Sequence, residues 1–250
     1  MNDLELDSDR FTKLAENFGE MSRIEICNLL NKRNSNTDLD LYLSLFSVRD
    51  KFTKFFGWSI PCKEAVDLVK KFTCGPLYDV MAGTGYWARI LKRAGVDVRA
   101  SDIHKILSKN SYHRLVEKSN EKIKKIKIRR KNAIKIAYDM SKKRIKGDIF
   151  LSWPPYQSCV ATEILECLPI DTKVFYIGEG DGGCTGDLSF HMCLNKNFQL
   201  LAEQNLPNFM GIHDYLGVYQ KKHNREIDKK YRGETFFWES EQDCEITNDV

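Results

Sequence analysis

Leu77-Tyr78-Asp79-Val80-Met81-Ala82-Gly83-Thr84-Gly85 reads as a short apolar strand running into a glycine turn. A helix-like stretch follows from Tyr86 to Arg93. A second short strand then runs from Val96 to Ala100 and ends on Asp102. Strand, Gly-x-Gly turn, helix and an acid after the next strand together make a nucleoside-binding half-fold. The glycines let the backbone pass close to a ligand with no Cβ in the way. The helix N-terminus offers N–H groups that lack intrahelical partners, and the later carboxylate can accept hydrogen bonds from two ribose hydroxyls.

Two cofactor classes fit this spot. Gly83-Thr84-Gly85-Tyr86-Trp87-Ala88 satisfies the dinucleotide fingerprint G-x-G-x-x-G/A, with Asp102 near the expected distance. That pattern admits a nicotinamide or flavin enzyme, such as an NAD-dependent dehydrogenase. Asp79, just before the turn, points elsewhere. A carboxylate there repels a pyrophosphate and favours a cofactor with a free ammonium group.

The stretch DVMAGTG, Asp79 to Gly85, resembles motif I of class I methyltransferases that use S-adenosylmethionine. Met81 stands where many members carry the first glycine, at the strand end rather than at the tight turn. A second stretch, Gly147-Asp148-Ile149-Phe150-Leu151-Ser152-Trp153-Pro154-Pro155-Tyr156, leaves a later strand at its carboxyl end. Open α/β sheets bind ligands at that end. The double proline fixes a rigid turn and the flanking aromatics can stack on a planar substrate. The stretch is similar to motif IV of amino-methyltransferases, D/N/S-P-P-Y/F/W, with Trp153 at the place of the polar residue and Ser152 one place earlier. A proline-stiffened loop that only shapes the cofactor pocket is the plainer reading. The segment Phe56-Gly57-Trp58-Ser59-Ile60-Pro61 with KEAVDLV is similar to the lid that precedes motif I in many such enzymes. W-x-I-P, AGTGYWA, SWPPY and IGEGDGGCTGD together resemble a sparsely described methyltransferase-like family, over residues 56 to 221.

The resemblance implies a Rossmann-like, seven-stranded methyltransferase sheet, mostly parallel with a C-terminal antiparallel hairpin. It implies S-adenosyl-L-methionine as cofactor. Asp79 and the turn Ala82, Gly83, Thr84, Gly85, with Tyr86 and Trp87, would hold the methionine part. Asp102 and Ile103 would meet the ribose, Asn132 and Ala133 the adenine, and Ser152 the cofactor side of the second motif. Trp153, Pro154, Pro155 and Tyr156 would shape the acceptor side. Glu179, in the glycine-rich loop after the fifth strand, would face the methyl donor and can orient or deprotonate an acceptor. Acids in such loops are also common turn formers, and this holds more strongly for Asp181 and Asp187.

The remaining chain frames this half-fold. Its 250 residues are 30% charged and 42% hydrophobic, with no apolar run of membrane-spanning length. The acidic start MNDLELDSDR argues against a signal peptide, so a cytoplasmic or other intracellular location is expected, the nucleus included. None of the eight cysteines forms a C-x-x-C pair, so reduced thiols and no metal site are expected. The net charge of +4 is modest but uneven. Lys118 to Lys146 is dense in lysine and arginine and can track nucleic-acid phosphates, or be a solvated face. Lys124 to Ile128 alternates as an edge strand does.

Helices are expected at Phe11–Asn31, Leu39–Phe56, Cys62–Phe72, His104–Ser119, Ser158–Cys167 and Leu188–Leu194. Strands are expected at Ile126–Arg130, Asp148–Ser152, Val174–Ile177, Phe198–Ala202 and Tyr215–Gln220. The last two have no helical pattern between them and should pair antiparallel. Residues 1–55 then form a helical extension, 56–221 the catalytic domain and 222–250 a polar, partly acidic tail. His191 reads as a packing or surface residue, and His104 and His113 carry no role. The acceptor class stays open between a nucleic-acid base and a small molecule. A catalytically silent RNA-binding subunit of the same fold is the rival from another class, and the dehydrogenase the third reading.

Overall fold

The computed structural model describes residues 8–31, 49–103 and 126–222. The expected helix His104–Ser119, most of Leu39–Phe56, the tail and part of the basic stretch lie outside the described residues. In chain order the elements are α1 (Ser8–Asn17), α2 (Arg23–Asn31), α3 (Lys63–Phe72), β1 (Leu77–Val80), α4 (Tyr86–Arg93), β2 (Val98–Asp102), β3 (Arg129–Arg130), α5 (Ala133–Lys142), β4 (Asp148–Ser152), α6 (Val160–Cys167), β5 (Lys173–Gly178), α7 (Leu188–Asn197), β6 (Phe198–Asn205) and β7 (Tyr215–Lys221). Residues 49–55 are also helical.

The strands form a seven-stranded sheet in the order β3-β2-β1-β4-β5-β7-β6. β1 to β5 pair in parallel, while β7 runs antiparallel to β5 and to β6. This is the mostly parallel α/β sheet with a terminal hairpin that the sequence leads one to expect. The chain winds outward from β1 to β3, returns to β4 beside β1, and winds the other way. The switch point lies between β1 and β4, which places the ligand crevice of such a sheet at the carboxyl ends of these two strands.

The central strands show why the sheet is double-faced. In β4, Ile149 and Leu151 join one hydrophobic core and Phe150 the other. In β5, Val174 and Tyr176 face one core while Phe175 and Ile177 face the other. Successive side chains point to opposite faces, so a strand covered on both sides must be apolar throughout. One core is built with α3 and α4, the other with α5, α6 and α7.

The N-terminal segments are part of the first core. Ala15, Phe18, Ile26, Phe52 and Phe56 cluster with Tyr86, Trp87 and Ile90. The rings of Phe52 and Phe56 lie 5.7 and 5.2 Å from Tyr86. Among the described residues, side chains on both sides of position 55 share this cluster.

The single helix expected over 11–31 is two helices. A 3₁₀ turn at Phe18–Glu20 separates them, and within it Gly19 passes so close to Ile90 that a Cβ would come within 2.4 Å of its Cγ2. Ser22 and Glu25 then restart the helix as a capping box: Glu25 receives the Ser22 backbone N–H at 2.8 Å and its own N–H reaches Ser22 Oγ at 3.3 Å. The strand expected at Ile126–Arg130 contracts to Arg129–Arg130, which pair with Ser101 and Asp102 at the end of β2. Helix α5 was not expected. Its buried Ala133, Ile136, Ala137 and Met140 follow helical spacing, and Asn132 caps it.

Candidate functional site

The loop after β1 begins at once. Met81 has φ 60°, so the left-handed backbone starts at the strand end and not at the glycines. Met81, expected at the strand end rather than at the tight turn, is thus already part of the turn. Left-handed geometry costs an ordinary side chain about 1–2 kcal/mol, and it accounts for glycine at this place in the similar motif. Gly83 and Gly85 follow at φ 53° and 77°. Gly85 donates to Ala82 O at 2.7 Å and closes the turn, and Ala82 donates to Ser101 O at 2.9 Å. A Cβ on Gly83 would meet nothing within 4 Å, so the loop is open above it, whereas one on Gly85 would strike Ile128 at 2.8 Å.

Two carboxylates flank this turn. Asp79 in β1 and Asp102 at the end of β2 are both buried. Burial first, then the Asp102 charge, raises the Asp79 carboxyl well above its ordinary range. Asp102 Oδ2 accepts the Gly83 N–H at 2.9 Å and holds the turn against β2. Among the described residues no salt bridge is formed by Asp79. A cation arriving between the two would favour the charged form of Asp79. Ile103, next to Asp102, is half exposed.

The other expected cofactor residues divide. Thr84 Oγ donates to Phe56 O. The Tyr86 hydroxyl donates to Ala15 O, and the Trp87 indole N–H to Ser59 Oγ at 2.8 Å. Both rings are buried in the core, and the Tyr86 backbone N–H, at the start of α4, donates to Thr84 Oγ at 3.3 Å. Asn132 Oδ1 accepts from Ile134 N at 2.8 Å and Lys135 N at 3.2 Å. With its oxygen committed to the cap, the polar group its side chain retains for a ligand is the amide N–H. Ala133 is buried beside it. Ser152 Oγ lies 3.3 Å from Ser59 Oγ, linking β4 to the segment before α3.

The second motif turns sharply after β4. Trp153 takes φ 50°, an outlier for a bulky residue. Its N–H bonds Ile177 O at 2.8 Å and its indole N–H bonds Asp214 Oδ2 at 2.9 Å. Its ring stacks on Trp58 at 5.2 Å and 20°. Pro154 is buried, while Pro155 and Tyr156 are exposed. Pro154 O accepts from Gly186 N at 3.1 Å, tying this turn to the glycine loop.

Glu179 opens that loop and is buried. Its Oε2 accepts the Cys184 N–H at 2.8 Å and its Oε1 the His213 N–H at 3.0 Å. Thr185 Oγ accepts the Glu179 N–H at 2.9 Å, and the Tyr176 hydroxyl lies 2.6 Å from that Oγ and from Glu179 O. Glu179 thus braces the loop with both oxygens. Asp187 caps α7 through Phe190 N, and His191, buried, bonds Thr185 O at 2.9 Å.

Asp214 is the residue that sequence reading missed. It precedes β7, whose amino end lies beside the carboxyl end of β5 through the pair Gly178–Tyr215. A buried acid at a strand start has a weak signal in sequence, and only the fold brings it beside Trp153. Trp58 and Arg49 join it there. At the opposite end of the strands a cleft of about 410 Å³ opens between Met140–Asp148 and Pro169–Thr172, away from the switch point. Among the described residues no group of His, Cys, Asp or Glu could hold a metal ion, and no helix is long and apolar enough to cross a membrane.

The sequence matches no family model and no curated protein. Among solved structures the chain is similar to a protein of Pyrococcus horikoshii, at 14% identity over 75% of this chain and 93% of that one, with a TM-score of 0.44. It is similar to the N-methyltransferase NodS of Bradyrhizobium japonicum at 8% identity, over 64% of this chain and 93% of that one, with a TM-score of 0.42. An rRNA methylase of Streptococcus thermophilus matches at 14% identity, over 64% and 96%, with a TM-score of 0.38. Likenesses this remote carry no chemistry. The chemistry of this chain rests on its own strand order and on the loops at its switch point.

Proposed function

We propose that the protein is an S-adenosylmethionine-dependent methyltransferase whose acceptor is a nucleic-acid base. The observation that supports this best is the pairing of Asp79 and Asp102 around the open Gly83 turn at the switch point. Two adjacent buried carboxylates suit a ligand that brings a cation and ribose hydroxyls, and they disfavour a pyrophosphate. S-adenosylmethionine fits the donor set by its ammonium and ribose, and it would supply an activated methyl group on a sulfonium.

The chain's own residues then align and enclose. Asp79 attracts the ammonium, the open turn above Gly83 receives the carboxylate, and Asp102 accepts from ribose. Ile103 offers an apolar face and the Asn132 amide an N–H to the adenine ring. The turn Trp153 to Tyr156 forms the acceptor wall, with the exposed Tyr156 ring available for stacking. Holding the acceptor in line and excluding water is where such a site gains its rate. Lys127, Arg129, Arg130, Lys131 and Lys135 run from the cofactor edge along β3 and α5 and can follow a phosphate backbone.

Isothermal titration with S-adenosylmethionine and with NADH tests the cofactor. Binding of the first is expected; binding of NADH alone would reject the proposal. Salt-dependent RNA binding with no cofactor binding would favour the silent subunit, a reading the basic residues of β3 and α5 also accommodate.

A further inference from the structure

Beside the second motif two buried polar atoms lack partners among the described residues. Asp214 is 2% exposed. Its Oδ2 takes the Trp153 indole N–H, while its Oδ1 is buried with no hydrogen-bond partner. Arg49 Nε is likewise buried and unpartnered. A buried polar atom left unmet is costly and calls for an explanation.

The surroundings hold these atoms in place. Asn208 grips the Asp214 backbone from both sides, accepting its N–H at 3.1 Å and donating to its carbonyl at 3.2 Å. The Arg49 guanidinium lies 5.6 Å from the centre of the Trp58 ring, and Trp58 stacks on Trp153. Trp58 is half exposed, so the indole pair opens to solvent on one side. Trp153 keeps its left-handed backbone inside this cluster, and strain of that kind gathers where a ligand is held.

One unmet acceptor and one unmet donor beside a flat indole pair ask for a flat partner with an N–H and a lone pair side by side. An amino-bearing nucleobase presents that edge: an exocyclic N–H next to a ring nitrogen. We propose that Asp214, Arg49, Trp58 and Trp153 form a base-recognition site. Asp214 Oδ1 accepts from the exocyclic amine and Arg49 Nε donates to the adjacent ring nitrogen. Naming the bound base as the methyl acceptor rests on the methyltransferase reading; the binding does not.

The test uses the full chain saturated with S-adenosylhomocysteine, so that adenosine cannot report from the cofactor pocket. Adenosine, cytidine and guanosine are titrated while tryptophan fluorescence is read, alongside N6,N6-dimethyladenosine and N4,N4-dimethylcytidine. Adenosine or cytidine should quench the signal, and its dimethylated form should bind about tenfold more weakly or worse. Asp214→Asn and Arg49→Lys should each weaken the nucleoside by about tenfold while S-adenosylhomocysteine affinity stays within about twofold. Thermal melts verify that both variants fold. Absence of quenching by every nucleoside, or unchanged nucleoside affinity in folded Asp214→Asn and Arg49→Lys, would overturn the proposal. A crystal structure with a water that bridges Oδ1 and Nε and persists at saturating nucleoside would overturn it too. Failure of S-adenosylhomocysteine to bind would instead strike the cofactor reading, and the same titrations can then be run without it.

Discussion

Arg89 Nε lies 2.7 Å from Glu16 Oε2, with the side chains 9% and 4% exposed. This ion pair ties α1 to α4, the helix that follows the glycine turn. Arg93 reaches the same carboxylate at 3.5 Å. Removing one partner of a buried pair strands the other's charge in a low-dielectric site. Glu16→Ala should cost about 3–5 kcal/mol in urea unfolding. A loss below about 1 kcal/mol would mean that α1 is not part of the cooperative unit.

At Met81 the prediction is an unusual ranking of substitutions. Glycine relieves the left-handed strain but gives up packing and chain entropy, so Met81→Gly should lie within about 1 kcal/mol of the parent. Met81→Ile keeps the apolar bulk and adds a β-branch that this backbone excludes, so it should be the less stable of the two. Thermal melts decide, and the reverse order would contradict the φ of 60° at this residue.

Asp214 should leave a mark on the pH dependence of stability. Burial, the largest influence, pushes its carboxyl up from 3.8 to about 7; the Trp153 hydrogen bond and Arg49 oppose that rise and the Glu179 charge adds to it. A folded-state value above the unfolded one means the folded protein holds the proton more tightly. The contribution to stability is therefore full below about pH 4 and is lost as pH rises to about 7. Asp214→Asn has no such proton. Between these limits the Tm of the parent should fall relative to that of the variant, and parallel curves would refute a raised carboxyl at this site. Asp79 and Asp148 are also raised but are common to both proteins.

Lys221 is a buried cation used as a helix cap. Its Nζ donates to Leu165 O, Glu166 O and Leu168 O at 3.0, 2.9 and 2.7 Å, closing the C-terminal end of α6. A cation there also suits the negative end of the helix dipole. Lys221→Met preserves the stem and removes the donors, with an expected loss of about 2–4 kcal/mol in denaturant unfolding. A smaller effect than for an exposed lysine such as Lys196 would exclude the capping role.

For the cofactor, Asp102→Ala should weaken S-adenosylmethionine binding strongly, and Asp79→Asn should weaken it with little loss of fold. Near-parental affinity in Asp102→Ala, read by titration calorimetry, would reject the ribose contact.

Much of the fold was legible in the chain. The apolar run Ile149–Leu151 and the alternating partners in β5 encode a strand covered on both faces, and the Gly-x-Gly turn encodes its own position. What was missed needs long-range contact. The need for glycine at position 19 is set by Ile90, although the Ser22–Glu25 capping box was there to be read. Helix α5 was hidden because its apolar positions are interleaved with a lysine-rich run that draws attention to charge. Trp153 reads as an oddity until Asp214 arrives from the start of β7, sixty-one positions later in sequence.

The bracing of the β5–α7 loop has a thermodynamic consequence. Tyr176, Thr185 and both oxygens of Glu179 already fix this wall in the free protein. A ligand settling against it loses little affinity to ordering the loop, so selectivity here turns on shape and polarity that exist before encounter. Changes at the loop's anchors should then appear first as altered discrimination between ligands.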